Sequence, residues 1–262
     1  MSADRAGPGY FALPGPRVFA HRGLALTVPE NTIAAFQAAV NIGVRYIETD
    51  AHATADGVAV LVHDPDVVVD GVRHPVRNLT LSQLRQLDLG SGHRVPTLAG
   101  ALVTFPDIRF NIDVKSEQAA GPVARAIRAE GASDRVLVTS FDEERRRRVA
   151  DALPGVASSA SSERFTRAFI GARVGSARVI RSALGSISSV QVPERHRNIR
   201  LVTAGTVNAF HKAGVEVHVW TVNAPDDMTR LLALGVDGII TDRADIALPL
   251  VAAFARRDDA GV

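Results

Sequence analysis

Short β-rich apolar runs alternate with longer helical stretches along nearly the whole chain, and this rhythm restricts the fold more than any other property of the sequence. Strand-like runs fall at Arg17 to Ala20, Arg45 to Asp50, Arg109 to Lys115, Arg135 to Ser140, Gly155 to Ser159, Ser186 to Val192, Val215 to Val222 and Gly238 to Thr241. That makes about eight, the number that closes a TIM barrel of parallel βα units, which usually takes ~250 residues. Helices are expected between them at Thr32 to Val40, Glu117 to Glu130, Asp142 to Ala152, Thr206 to Lys212 and Pro225 to Leu234. A doubly wound sheet is the alternative. Against it, His21-Arg22-Gly23 stands after the first strand where a Gly-rich phosphate loop would be required.

One interval interrupts the rhythm. After Asp56-Gly57, Val58 to Val62 reads as an extra hairpin strand, and Asp64 to Leu98 is a long excursion with a short helix near Leu81 to Leu87. The barrel is therefore expected to carry a small insertion, about 58–98, between its second and third strands, serving as a lid or substrate wall. Residues 1–16, rich in Pro and Gly, are expected to form a flexible tail, and 17–262 a single domain. Neither a signal-peptide core nor a spanning stretch is present, so the expected location is the cytoplasm, without stable membrane insertion. A formal charge of only +2, from 30 basic and 28 acidic residues, gives no reason to expect a nucleic-acid partner. A homo-oligomer is left open. The Arg145 to Arg148 run reads as a solvated helix face, with Glu143 and Glu144 each meeting an arginine four residues on.

In a barrel, the side chains that act stand at the C-terminal ends of the strands. The first strand ends in His21-Arg22. The second carries Glu48 and Asp50, and a spacing of two puts both carboxylates on one face. The adjoining hairpin ends in His63-Asp64, and the third strand brings Asp113 and Lys115. Lys115 and Lys212 are the only lysines among the 30 basic residues, so a lysine at a strand end invites a reason. A compact ammonium beside a phosphate or carboxylate is one. With no cysteine in the chain, any metal must sit on oxygen or imidazole. Glu48, Asp50 and Asp113 suit one hard divalent cation, Ca²⁺ or Mg²⁺, with Mn²⁺ as a further candidate. Arg22 and Lys115 can offset an anion, while His21 and His63 accept and donate protons. That set matches cleavage of a phosphodiester. Simpler pairings are also open: Glu48 and Asp50 with Arg22, and Lys115 with Asp113.

The order of these pieces resembles the glycerophosphodiester phosphodiesterases. The resemblance rests on His21-Arg22-Gly23, Pro29-Glu30-Asn31-Thr32, Glu48-x-Asp50, Thr54-x-Asp56-Gly57 and His63-Asp64. It continues through Val95-Pro96-Thr97-Leu98, Trp220-Thr221-Val222-Asn223 and Gly235-Val236-Asp237-Gly238-Ile239-Ile240-Thr241-Asp242, so that it spans roughly Val18 to Asp245. It implies a metal-dependent barrel enzyme that hydrolyses a small-molecule glycerophosphodiester to glycerol 3-phosphate and an alcohol. By position, His21 and His63 become the acid-base pair, Glu48 and Asp50 metal ligands, and Arg22 and Lys115 phosphate contacts. Asp113 departs from the glutamate more usual there, which makes it the least secure ligand.

Other positions carry lesser expectations. Asn31 is expected to cap the following helix, and Glu30 to cap it or to orient Arg22 or His21. His52, on the face of Glu48 and Asp50, is expected to back the ligands or line the substrate. Trp220 is expected to pack on substrate or plug the core, and His74, His93, His196 and His211 to be background. Two rival functions remain: a lysophospholipase D-type phosphodiesterase on the same scaffold, signalled by an apolar rim near Asp64 to Leu98, and a barrel that binds phosphodiesters without turnover. A phosphomonoesterase fits a two-histidine site less well.

Overall fold

The computed structural model describes residues 9–260. Its strands β1 (Arg17–His21), β2 (Tyr46–Ala53), β3 (Arg109–Val114), β4 (Val136–Thr139), β5 (Ala157–Ser158), β6 (Ser189–Val192), β7 (Glu216–Val219) and β8 (Gly238–Thr241) lie side by side. They follow the order β5-β4-β3-β2-β1-β8-β7-β6, and every pairing is parallel. A parallel bridge between Ser159 and Ser189 joins the two ends, and the Ala160 amide donates to the Ser189 carbonyl at 3.0 Å. The ring is the expected TIM barrel.

Its strands are buried on both faces, and alternation decides what each face holds. In β2, Ile47, Ala51 and Ala53 join the main apolar core, whereas Tyr46 belongs to a smaller cluster with Phe19, Leu137, Ala157 and Ile240. The helix Ile33–Asn41 shows how one unit is assembled. Thr32 caps its start by accepting from the Ala35 amide at 3.2 Å, which contributes about 1 kcal/mol. Phe36 is fully buried and meets Phe110 edge-on at 5.9 Å. Burial of such a side chain is worth roughly 1.5–3 kcal/mol.

The expectation of a flexible tail fails for residues 9–16. Gly9–Phe11 form a 3₁₀ turn, Tyr10 is completely buried, and its carbonyl accepts from the Tyr46 hydroxyl at 3.0 Å. Arg17 donates to the carbonyls of Phe11 and Leu13, both at 3.0 Å. An aromatic ring with a cavity to fill outweighs the Pro and Gly around it. The rest of the expected tail lies outside the described residues.

Segment 58–98 contains the strand Ala59–Leu61 antiparallel to β2, a hairpin of Asp66–Val69 with Val72–Pro75, and the short helix Leu81–Leu84. Val60, Val67, Val76, Leu84 and Val95 give it an apolar cluster of its own. The Asp56 carboxylate accepts from the Thr54 hydroxyl and from the Leu81 amide, tying the motif turn to that helix. Helices Leu98–Thr104, Ser162–Arg173, Ala177–Leu184 and Ala244–Ala260 were not expected. Phe165, Ala168, Phe169 and Ala172 carry a helical period that the serines before them and Gly171 among them obscure.

The arginine run also needs correction. Glu144 and Arg148 pair at 3.2 Å as expected, but Arg146 is buried and makes a two-pronged contact with Glu143, both bonds 2.8 Å. Arg145 reaches across to the carbonyls of Val114 and Lys115. Two arginines of the run are therefore structural.

Candidate active site

β1 ends in a tight turn. Arg22 and Gly23 both take positive φ, and a Cβ on Gly23 would lie 2.7 Å from the carbonyl carbon of Ala35. Only glycine allows that approach. The turn leaves the Arg22 amide bonded to the Glu48 carbonyl at 2.9 Å and brings the guanidinium over the second strand. There Arg22 Nε lies 3.0 Å from Asp50, and its Nη1 donates to Glu30 at 2.8 Å. Glu30 thus orients Arg22.

Asp50 is enclosed by donors. Lys115 Nζ lies 2.8 Å from one oxygen, and Asn31 Nδ2 donates to the other at 3.0 Å. Asn31 is itself fixed by the Thr49 hydroxyl at 2.6 Å. The expected capping role of Asn31 is corrected here, because Thr32 is the cap and the Asn31 amide is directed to Asp50. Lys115 also lies 2.6 Å from Asp113, so one ammonium bridges two carboxylates of neighbouring strands.

These partners divide the three acids. Burial raises the Asp50 carboxyl, but Lys115, Arg22 and Asn31 outweigh it and hold Asp50 below its ordinary value. Burial lifts Asp113 with only partial relief from Lys115, and its Oδ1 is buried without a partner. Glu48 is lifted furthest, by burial and by the like charges of Asp50 and Asp113. The cluster therefore holds more negative charge than its cations neutralise. Among the described residues no three histidine or acidic side chains stand as a finished metal cage. Lys115 occupies the space between two of the expected ligands.

His21 Nδ1 lies 2.6 Å from Asp242 Oδ1, and its Nε2 is 3.8 Å from Glu48. Asp242 is in turn gripped by Asn223, which donates to its Oδ2 at 2.7 Å and accepts from its amide at 2.9 Å. The hydrogen bond with His21, then that with Asn223, keeps the Asp242 carboxyl below its usual range despite partial burial. His63 Nδ1 lies 2.8 Å from Asp64 on the rim. His52 Nε2 is 3.2 Å from the His63 carbonyl, and burial lowers its pKa. A neutral imidazole there donates to that carbonyl and steadies the turn that carries His63; it is not among the cavity-lining residues.

One cavity of about 650 Å³ collects these groups. His21, Arg22, Glu48, Asp50, His63, Asp113 and Lys115 form one wall. Trp220 stands opposite, edge-on to Phe141 at 5.9 Å. The 58–98 segment contributes only His63 to the lining, so the wall expected from Asp64 to Leu98 is elsewhere. It comes from the helix Ser162–Arg173 and from the hairpin of Arg195–His196 with Ile199–Arg200, which also makes His196 a lining residue. Sequence reasoning singled out neither Asp242, Asn223 nor Asn31 as site residues. All three sit inside the quoted motifs, where their side-chain chemistry was the available signal.

The family model described as the glycerophosphoryl diester phosphodiesterase family matches residues 21–246. The chain belongs to that family. It is 40% identical over 267 residues to a Mycobacterium tuberculosis protein named probable glycerophosphodiester phosphodiesterase 2, covering 99% of this chain and 100% of the relative. It is 31% identical to a glycerophosphodiester phosphodiesterase of Caldanaerobacter subterraneus, over 89% and 97% of the two chains. The barrel superposes with a TM-score of 0.74 on an Oleispira antarctica phosphodiesterase in complex with the product sn-glycerol-3-phosphate, at 22% identity over 92% and 98% of the chains. That likeness concerns the fold. Among the described residues, no helix of this family member is long and apolar enough to cross a membrane.

Proposed function

We propose that this family member hydrolyses glycerophosphodiesters to glycerol 3-phosphate and an alcohol, with a divalent cation and with His21 and His63 as the proton-transferring pair. The carrying observation is that both imidazoles open onto one cavity whose wall holds three carboxylates and two cationic side chains. The names of the full-length relatives and the product in the Oleispira structure support the substrate class.

The residues fit a hard cation. The acids are all oxygen donors, Asp113 Oδ1 is a buried acceptor without a partner, and Glu48 is pushed toward protonation by its acidic neighbours. Glu48, Asp50 and Asp113 would hold Ca²⁺, Mg²⁺ or Mn²⁺, with Lys115 released toward the phosphate. When bound, such an ion offsets charge on the nonbridging phosphate oxygens.

The remaining work belongs to side chains. Arg22, braced by Glu30, and Lys115 present positive charge to the phosphate. Asp242 keeps the His21 ring turned so that Nε2 faces the reacting centre. One imidazole takes the proton of the attacking hydroxyl, that of water or of the substrate's own glycerol, and the other gives a proton to the departing alkoxide. Direct attack by water releases glycerol 3-phosphate and leaves the two rings to be reset by proton exchange with solvent; attack by the glycerol hydroxyl leaves a cyclic phosphate that water then opens with the two roles reversed. The test is a coupled assay for glycerol 3-phosphate released from glycerophosphocholine and glycerophosphoethanolamine, with EDTA and with each cation restored. Release that stops with EDTA and resumes with Mg²⁺ or Ca²⁺ is expected; release indifferent to EDTA removes the cation from the proposal.

A further inference from the structure

The cavity is larger and more apolar than a small polar diester needs. Away from the charged wall it is lined by Phe141, Phe165, Phe169, Ile199, Leu201 and Trp220. Phe165 and Phe169 pack with centroids 5.6 Å apart, and Phe141 stands edge-on to Trp220. Phe141 is 59% exposed and Ile199 51% exposed, at the mouth of a cavity that also contains the catalytic imidazoles. Exposed aromatic and aliphatic surface grouped around a cavity marks a place where something apolar docks. On the other flank of His21 and Arg22 the surroundings change. A second, smaller cavity of about 270 Å³ there is bounded by Glu30, Asp242 and Arg243 together with Ala25 and Leu26. The phosphate-handling groups therefore stand between a small recess that bears charged side chains and a larger hydrocarbon-like gallery.

From this asymmetry we infer that the enzyme's preferred substrate is a single-chain lipid phosphodiester, with its polar arm in the recess that holds Glu30 and Asp242 and its hydrocarbon chain along the gallery. The inference rests on the phosphodiester cleavage proposed above and adds the kind of molecule cleaved. Two features of the gallery support it. Its apolar residues come from separate elements, the segment after β4, the helix Ser162–Arg173, the hairpin after β6 and the end of β7, yet they share one lumen. It also belongs to the same cavity as the charged wall, with Ser140, Gln191 and Thr221 among the shared lining, so that one molecule can occupy both. A choline or ethanolamine group alone would leave this surface wet, whereas each methylene seated there gains about 0.8 kcal/mol.

The experiment compares kcat/KM for glycerophosphocholine and for 1-acyl lysophosphatidylcholines of rising chain length, all below their micelle concentrations. In parallel, binding of dodecylphosphocholine and of phosphocholine is measured by calorimetry. The ratio of chain-bearing to chain-free kcat/KM is expected to rise about fourfold for each methylene that leaves water, then level off when the gallery is full. Phe141→Ser with Ile199→Ser, both at exposed positions, should lower that ratio at least tenfold, and Phe165→Ala should lower it as well. A ratio that is flat or falls with chain length overturns the inference while leaving glycerophosphodiester cleavage intact. If no diester is cleaved, the calorimetry decides: dodecylphosphocholine bound no more tightly than phosphocholine overturns the gallery. Tight binding lost in the double variant sustains the gallery and overturns the hydrolytic reading.

Discussion

His21 Nδ1 and Asp242 Oδ1 are 2.6 Å apart, a contact between the first and last strands of the barrel across 221 positions of sequence. It ties the C-terminal ends of two neighbouring strands together at the level of the chemistry and turns the other nitrogen of His21 toward the acid cluster. Asn223 locks the carboxylate from a third strand end.

Asp242→Asn should therefore lower kcat by roughly tenfold to a hundredfold while leaving KM near the parent's, because the ring loses its orientation and substrate binding does not. Steady-state kinetics across pH check this, with Asn223→Ala expected to reproduce part of the loss.

His21→Ala and His63→Ala should each reduce turnover by about a hundredfold or more. Neither ring contributes to the apolar core, so far-ultraviolet circular dichroism and the melting temperature should stay close to the parent's. Full activity in both variants would remove the acid-base pair from the proposal.

Glu48→Gln separates charge from packing. In the cation-free protein, burial and the neighbouring acids raise the Glu48 carboxyl above its unfolded value. The folded state then binds the proton more tightly, so Glu48 costs stability as pH rises above its ordinary range and costs nothing below it. The variant should be more stable than the parent at neutral pH in EDTA, and should lose the thermal shift that Mg²⁺ or Ca²⁺ gives the parent. Parallel melting scans with and without cation measure both effects.

Glu143 joins three partners: Arg146, the Ser161 hydroxyl and Arg164. Partial burial opposes ionisation, but these bonds prevail and bring its carboxyl from 4.5 down to about 2. A depressed carboxyl stabilises the fold above its unfolded pKa, and that stability is lost as pH falls from about 4.5 to about 2. Glu143→Gln should cost about 2 kcal/mol at pH 7 after allowance for solvent screening, and should flatten the acid limb of stability in that window. Urea titrations at a series of pH values report it.

Gly23→Ala should destabilise the protein by about 2 kcal/mol or more, since a methyl group there meets the Ala35 backbone at positive φ. Denaturant midpoints check it. Activity should fall further than stability, because Arg22 and His21 are carried by the same turn.

The barrel and one wall of its site were legible because their signals are local. Strand periodicity located β1 to β8 within a few residues, and period two placed Glu48 and Asp50 together. What escaped depended on partners distant in sequence. Asn31 looks like a cap until Asp50 is seen beside it, and Asp242 looks like a turn residue until His21 arrives from the far terminus. Arg146 belongs to a charged run, but burial against Glu143 and Ser158 removes it from the solvent. Tyr10 lies among helix breakers, and only the open base of a finished barrel gives its ring a place to go. The apolar gallery is assembled from two rings of one helix, Phe165 and Phe169, and from single residues of separate segments, which together form no motif in the sequence.

The joint between β5 and β6 has one further consequence. β5 contributes two residues, and the circle is completed by one bridge at Ser159 and Ser189, carried by the amide bonds of Ala160 to Ser189 and of Ser188 to Ser158. A hoop with one thin weld yields there first under load, so amide protons around Ala160 should exchange with heavy water sooner than those in the middle of β2. That weld lies next to the cavity-lining residues Ala160, Ser161 and Ser162, so the same exchange measurement is expected to find this side of the cavity wall more yielding than the arc that bears the acids and imidazoles.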